Sequence, residues 1–393
     1  MDFNYPPETE AFREEIRAFL REAVTPEYLE EQRTMMVDRD GHGPATQRFV
    51  DALRERGYLT LHWPKEYGGQ GRPVFEQAVF AEEMARAGAS TYIVGSVGLN
   101  MVAPALMHYG SEQQKKEILP KIASGEINFC QMFTEPEAGS DLASLRTTAI
   151  RDGDEYVVNG TKVFITWAFH ANYGYLLART DPEAPKHRGL SLFMLDMKSP
   201  GVEIHPLSLI DGGRHGLIYL ENVRIPRANL IGEENRGWYH AAITLDFERA
   251  GIGAVTRNEE DIKRLIAYAR TTERNGQRLS ADPEIRKGLL IAYRDSRITR
   301  ALAMRVLDIQ GHGRVANSEA SELSLHSRLA TGRTSETKAL VYGMYGQLFQ
   351  DTPYAVEDGD GVQSWWRLAG RHAAGTIEIQ KNIIAQRGLG MPR

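Results

Sequence analysis

A single cysteine, Cys130, stands among the 393 residues, which excludes an intramolecular disulfide and a cysteine-based metal cluster. Cys130 falls in a strand candidate and is expected to be a small buried apolar residue. No apolar run approaches the ~20 residues needed to span a bilayer. The opening MDFNYPPETEAFREEIRAFL has neither a basic n-region nor an apolar h-region, so a cytoplasmic protein with no membrane partner is the expectation. Charge of one sign is scarce too: 47 basic against 52 acidic residues leave a formal −5, which gives no reason to expect nucleic acid as a partner. His205, His215, His312, His326 and His372 are dispersed, no two at a metal-ligand spacing. Structural or surface roles are expected for them, and no metal. Repeats and low-complexity linkers are missing as well.

What remains is an ordinary globular composition, 42% hydrophobic and 25% charged, in a chain long enough for two or three domains. Apolar positions three or four apart predict an amphipathic helix from Pro7 to Leu29, a second over Gln47 to Gly57 and a third over Val74 to Ala87. HWPKEYGGQG reads as a loop and SEQQKKEILPKIASG as a charged helix. Around Ile127 the period changes to two. FCQMF, DEYVVNG, KVFIT, YGYLLAR, LSLFMLDM, VEIHPLS and HGLIYLENVRI are strand candidates without intervening helices. After Gly232 long helical patterns return, with a final helix after Gly375. The expected architecture is α+β and multidomain: an N-terminal helical domain (1–127), a central antiparallel β-barrel or sandwich (128–232) and a C-terminal helical domain resembling a four-helix bundle (233–393). Several C-terminal helices carry apolar residues on more than one face, which predicts self-association, most simply with dihedral symmetry.

The chain is organised around the stretch from Thr134 to Thr166. It begins as a turn-rich loop, TEPEAGSD, because Pro136, Gly139, Ser140 and Asp141 follow too closely for a helix or an interior strand. It continues as EYVV and KVFIT, with Asn159-Gly160 between them reading as a tight hairpin turn. Exposed amides, the hydroxyls of Thr134 and Ser140 and the open backbone at Gly139 suit a polar, anionic, planar ligand. An ordinary capped loop is the plain alternative.

Residues 134 to 166 resemble the signature of the acyl-CoA dehydrogenase family. So do HWPKEYGGQG, YGSEQQKKEILPKIASGE, KHRGLSLFMLDM, ENVRIPRANLIGEENRGW, LDFERAGIG and GTIEIQKNIIAQRGLGMPR, in the family's order and over nearly the whole chain. This resemblance implies an FAD-dependent enzyme built as helical, β and helical domains, acting on an acyl-CoA and passing electrons to an electron-transferring flavoprotein. It implies that Thr134 bonds the pyrimidine edge of the flavin. Gly139 and Ser140 would meet its pyrophosphate or the substrate's pantetheine, and Thr166 would lie near flavin N5. Phe164 stands where many members place a tryptophan against the isoalloxazine ring; it keeps the flat apolar contact without the indole donor.

The reaction needs a base for the α-proton. One branch carries a glutamate just before the C-terminal Gly-Thr, but here Ala373 and Ala374 precede Gly375 and Thr376. A second branch, represented by isovaleryl-CoA dehydrogenase, carries it on an earlier helix, where this chain has Asp246-Phe247-Glu248-Arg249. Glu248 is therefore the candidate base, in apolar and glycine-rich surroundings that raise a carboxyl pKa. By the same resemblance Asp246 and Arg249 would contact the nucleotide end of CoA, and the amide beside Gly375 and Thr376 would hold the thioester oxygen. Met101, Met107 and the run from Val94 to Leu106 match the helix that lines the acyl pocket.

Two family segments are altered. An Arg-x-x-Phe-Gly element followed by glutamine is replaced by TTERNGQRLSADPEIRKG, where Arg286 is the candidate substitute. The glycine-rich Gln-x-x-Gly-Gly-x-Gly element is replaced by GQLFQDTPYAVEDGDG. Both belong to the inter-subunit half of the flavin site. A homotetramer and a mixed tetramer completed by a sister subunit both stand as expectations. A flavin-site-completing subunit and a flavin monooxygenase or oxidase are the alternative functions.

Overall fold

The computed structural model describes residues 5–38, 43–89, 95–210, 213–241, 251–349, 352–362, 364 and 375–392. In chain order the helices are α1 (Pro7–Ala23), α2 (Pro26–Asp38), α3 (Pro44–Glu55), α4 (Val74–Arg86), α5 (Ala103–Tyr109) and α6 (Glu112–Ser124). Eight strands follow: β1 (Phe129–Met132), β2 (Thr148–Asp152), β3 (Glu155–Ile165), β4 (Tyr173–Arg179), β5 (Leu190–Asp196), β6 (Val202–Ser208), β7 (Arg214–Pro226) and β8 (Leu230–Ile231). Helices then return as α7 (Ile252–Thr271), α8 (Pro283–Gly311), α9 (Ser318–Tyr342) and α10 (Ile377–Ile383). Among the described residues no helix is long and apolar enough to cross a membrane.

Packing gathers these elements into two compact units. One comprises residues 26–72 and 90–248, the other residues 1–25, 73–89 and 249–393. The N-terminal pattern from Pro7 to Leu29 proves to be two helices. α1 ends at Ala23 with Val24 extended as its C-cap, and Pro26 opens the next helix at its first position.

In the second of these units the N-terminal helix is fastened by charge. The guanidinium of Arg13 donates to Glu82 Oε2 (2.9 Å) and Glu83 Oε1 (2.6 Å), and Arg300 on α8 donates to Glu82 Oε1 (2.6 Å). The Glu82 side chain is fully buried. Burial alone would raise its pKa, but the charges of Arg300 and Arg13 outweigh burial and hold it below the ordinary carboxylate value. Around this network Ile252, Val255, Ala303, Met304, Val306, Leu307 and Leu323 form an apolar core.

The sheet belongs to the other unit, in the order β6-β7-β3-β2-β4-β5-β8, with β1 also on β4. It is mixed and not closed among the described residues, which corrects the all-antiparallel pairing and the barrel form of the expected barrel or sandwich, while the helical, sheet, helical order stands. β1 runs parallel to β4 from Phe129↔Tyr173 to Met132↔Leu176, and β2 meets β4 in parallel at Thr148↔Arg179. β5 lies antiparallel along β4 over its whole length, so β1 and β2 share the edge of β4 that β5 leaves. Strand β4 is buried on both faces, which explains its continuous apolar run in place of alternation. The core of this sheet holds Tyr156, Val158, Leu176, Phe193, Leu195, Ile218, Val223 and Ile225, with Cys130 fully buried among them.

The hairpin expected at Asn159-Gly160 is also corrected. β3 runs straight through both residues and pairs with β7, with a register shift between Val158 and Gly160. Glycine is needed there for space, since a Cβ would lie 2.7 Å from Thr147 Cα. The true hairpin joins β2 to β3 through Gly153-Asp154, with Asp152 opposite Glu155 and Gly153 at φ +64°. On the helical side of this unit, α6 starts with a capping box in which Ser111 and Gln114 exchange side-chain to backbone bonds. The Gln114 amide also donates to the carbonyls of Ala228 and Leu230, tying α6 to β8.

Replacing Glu82 with glutamine removes the one carboxylate that Arg13 and Arg300 share, while Glu83 still faces Arg13 and Glu259 still faces Arg300. A loss of about 1–3 kcal/mol in urea unfolding is expected. Because the folded pKa of Glu82 is depressed, its contribution is fully present above the unfolded carboxylate value and lost as pH falls through the lower folded one. The wild-type unfolding midpoint should therefore fall on acidification into that window, and the Glu82→Gln midpoint should fall less.

Candidate functional site

The loop from Phe133 to Thr147 is built on a buried ion pair. Lys162 points inward from β3 and is completely buried. Its ammonium donates to three acceptors: Glu135 Oε1 (2.8 Å), the Phe133 carbonyl (3.1 Å) and the Leu177 carbonyl (2.9 Å). The Glu135 carboxylate also accepts from the backbone N–H groups of Arg146 (2.6 Å) and Thr147 (2.9 Å). Glu135 thus closes the loop on itself, and Lys162 fastens it to β3 and β4. Burial pushes the Lys162 ammonium down to about 8, against the pull of the Glu135 charge. Burial would raise Glu135, but Lys162 and the Arg146 amide keep it low.

This scaffold sets the positions of the exposed parts. The Val163 N–H donates to the Thr134 carbonyl (2.9 Å), which brings Thr134 beside the last residues of β3. Glu135 and Ala138 exchange two backbone bonds across Pro136, so the loop turns back and leaves Gly139 and Ser140 exposed. A Cβ on Gly139 would meet nothing within 4 Å; the glycine leaves open space above the backbone. Beyond it, Asp141 pairs with Lys186 (2.6 Å) and Arg179 donates to the Ala143 carbonyl (2.7 Å).

Phe164 is 62% exposed and holds φ +59°; three residues later Trp167 holds φ +65°. Left-handed backbone costs a bulky L-residue roughly 1–3 kcal/mol, and here two such aromatic residues bracket Thr166. A large aromatic held outward at that cost is unexplained by the core and fits a planar ligand laid against it. Thr166 is half-buried, its Oγ1 3.2 Å from His215 Nε2 on β7. Arg214 lies 4.4 Å from the Phe169 ring centre, and Trp167 meets His170 edge to face. A flat apolar wall, flanking hydroxyls and a loop of open amides suit the ring and phosphates of a flavin.

Thr134, Gly139, Ser140, Phe164 and Thr166 are thus carried on one ion-paired scaffold. Arg286, Gly375 and Thr376 belong to the other unit. Arg286 is exposed in the first turn of α8, beside Pro283, Lys287, Leu290, Ile291 and Arg294. Gly375 has φ +87°, and the Thr376 hydroxyl accepts the Ile379 N–H to cap α10. Glu248, Asp246 and Arg249 lie outside the described residues. Two participants escaped the sequence reading. The Glu135–Lys162 pair is separated by 27 positions, although a lysine on the inward face of an alternating strand is a signal for such a partner. His215 was expected to be bland, yet it reaches Thr166.

The β scaffold thus carries an exposed aromatic residue beside a loop of open backbone, an arrangement compatible with a planar, anionic ligand. Comparison with known proteins makes this specific. Models of the acyl-CoA dehydrogenase N-terminal, middle and C-terminal domains match residues 6–126, 130–223 and 235–389. The chain belongs to the acyl-CoA dehydrogenase family, an FAD-dependent family of oxidoreductases. It is 35% identical to the acyl-CoA dehydrogenase FadE29 of Mycobacterium tuberculosis, over 100% of this chain and 99% of that one. Among solved structures, a complex described as the Tcur3481-Tcur3483 steroid ACAD matches with a TM-score of 0.87 and 34% identity, covering 100% of each chain. The ChsE4-ChsE5 complex from Mycobacterium tuberculosis matches with a TM-score of 0.87, 32% identity and the same coverage.

Lys162→Met leaves the Glu135 carboxylate buried beside a methylene chain and should destabilise the protein by about 3–5 kcal/mol. The double replacement Lys162→Met with Glu135→Gln should recover part of that loss in thermal or urea unfolding, because no charge is then stranded.

Proposed function

We propose that this protein catalyses α,β-dehydrogenation of an acyl-CoA thioester to the trans-2-enoyl-CoA. The observation that carries the proposal is the exposed, backbone-strained Phe164 between Thr134 and Thr166 on a chain of this family. When bound, the flavin supplies the hydride acceptor. Phe164 gives the ring an apolar face, the Thr134 hydroxyl its pyrimidine edge a partner, and the open backbone at Gly139 and Ser140 room for pyrophosphate or pantetheine. Thr166 stands at the reacting edge. Glu248 takes the α-proton, the β-hydrogen leaves with its electron pair, and the C–C bond becomes a double bond. The backbone amide beside Gly375 and Thr376 holds the thioester oxygen as negative charge develops, an interaction whose loss typically costs ~3 kcal/mol. Asp246 and Arg249 engage the nucleotide end of CoA, and an electron-transferring flavoprotein receives the electrons.

Glu248→Gln should yield yellow protein of unchanged assembly that no longer bleaches when an acyl-CoA is added under anaerobic conditions. Bleaching at the wild-type rate would show that the proton goes elsewhere. A panel of CoA thioesters extends the measurement to the acyl group. The neighbour described as a steroid ACAD supports a bulky, steroid-type acyl chain in preference to a short straight one.

The altered segments around Arg286 and after Tyr345 concern the part of the flavin site that relatives share between subunits. Two structural neighbours are complexes of two different chains. A mixed assembly completed by a sister subunit is therefore the favoured quaternary state. Purified alone, the chain should carry well under one flavin per protomer, and co-expression with its partner should restore flavin. Full flavin content in a homotetramer would assign the altered segments a self-sufficient role.

A further inference from the structure

The bond between Thr166 and His215 has no part in the reading above. It joins the end of β3 to the beginning of β7, where Ile165 pairs with Gly216. The two residues stand among the strained Phe164 and Trp167, so neither strand end is free to drift. A threonine hydroxyl has one proton and two lone pairs, and at 3.2 Å the imidazole nitrogen sets where that proton points. If Nε2 carries hydrogen, it donates to Oγ1, and the Thr166 proton is available to an acceptor on the open side. If Nε2 is bare, the hydroxyl turns toward it, and Oγ1 presents only lone pairs outward. The same side chain is then a donor in one state and an acceptor in the other.

We propose that His215 is a positioning residue that fixes the polarity of the Thr166 hydroxyl toward the flavin and thereby tunes the flavin's midpoint potential. The inference rests on the placement of Thr166 at the flavin edge. A flavin gains electron density and a proton on reduction, so a neighbour that donates favours one redox state and one that only accepts favours the other. A group two hydrogen bonds removed can set that balance because hydrogen bonds in a chain polarise one another. His215 itself needs no contact with the ring.

The test uses the flavin-loaded protein, co-purified with its partner subunit if loading requires one, and reads the midpoint potential and the visible absorption band. Thr166→Val, His215→Phe and the double variant are compared with His215→Gln, whose amide can still donate to Oγ1. The expected result is that Thr166→Val and His215→Phe shift the potential in the same direction. The double variant shifts it no further than Thr166→Val alone, and His215→Gln stays close to wild type. Flavin content measured on each variant separates lost folding from altered tuning. If Thr166→Val shifts the potential while His215→Phe leaves it and the band unchanged, or if the two shifts simply add, the role of His215 is overturned and the flavin wall stands. If Thr166→Val itself changes neither readout in loaded protein, Thr166 is not at the flavin edge, and both the placement and the inference fall.

Discussion

The buried pair of Glu135 and Lys162 is the interaction on which the site depends. Taking either charge out of water alone costs several kcal/mol, and the geometry answers that cost completely on one side. All three ammonium protons of Lys162 have acceptors, two of them backbone carbonyls from different strands or loops. The carboxylate meets Lys162 and two amides from the far end of its own loop. Such a pair adds little net stability relative to an apolar core of the same shape. What it adds is a unique position for the loop, because a slip of β3 by one residue turns Lys162 to the opposite face of the sheet and strands the Glu135 carboxylate in the core.

Position matters here because the exposed residues cannot set it themselves. Phe164 is mostly in solvent and makes little packing of its own. Its φ of +59° is held from both sides: before it Lys162 is bonded to Glu135 and Val163 to the Thr134 carbonyl, and after it Ile165 pairs with Gly216. Backbone strain of this kind persists only where the surroundings over-determine it. The ion pair is therefore the cause, and the outward-facing ring its consequence.

Sequence reasoning reached those features whose causes are local. The charged helix SEQQKKEILPKIASG and the helical patterns over Gln47 to Gly57 and Val74 to Ala87 each rest on spacings of a few residues, and each is present in the fold. Errors arose where a distant segment overrode a local preference. Asn159-Gly160 has the chemistry of a turn, yet the glycine is there to admit the backbone of Thr147, and β3 passes through. Alternation and spacing revealed the strands of the sheet but not that β1 and β2 align parallel to β4, since parallel pairing leaves no mark in neighbouring residues. The network that fastens α1 joins Arg13 to Glu82 and Arg300 across the length of the chain, and nothing near Arg13 announces it. At the site, the order of residues from Thr134 to Thr166 suggested a ligand-binding wall through its family resemblance, but not the buried pair that supports this stretch or the histidine beside it.

Rigidity of that wall determines how finely its chemistry can be adjusted. A hydroxyl on a mobile loop averages over many directions, and a neighbouring imidazole would then change little. Thr166 is confined: strained residues lie on either side, and the sheet pairing at Ile165 and Gly216 closes the end of β3. Under that confinement the orientation of one proton becomes a discrete variable with two values. The residues from Thr134 to His215 belong to one compact unit and are held by contacts inside it. The altered C-terminal elements belong to the other unit, whereas every contact named above as fixing Phe164 and Thr166 lies within this one.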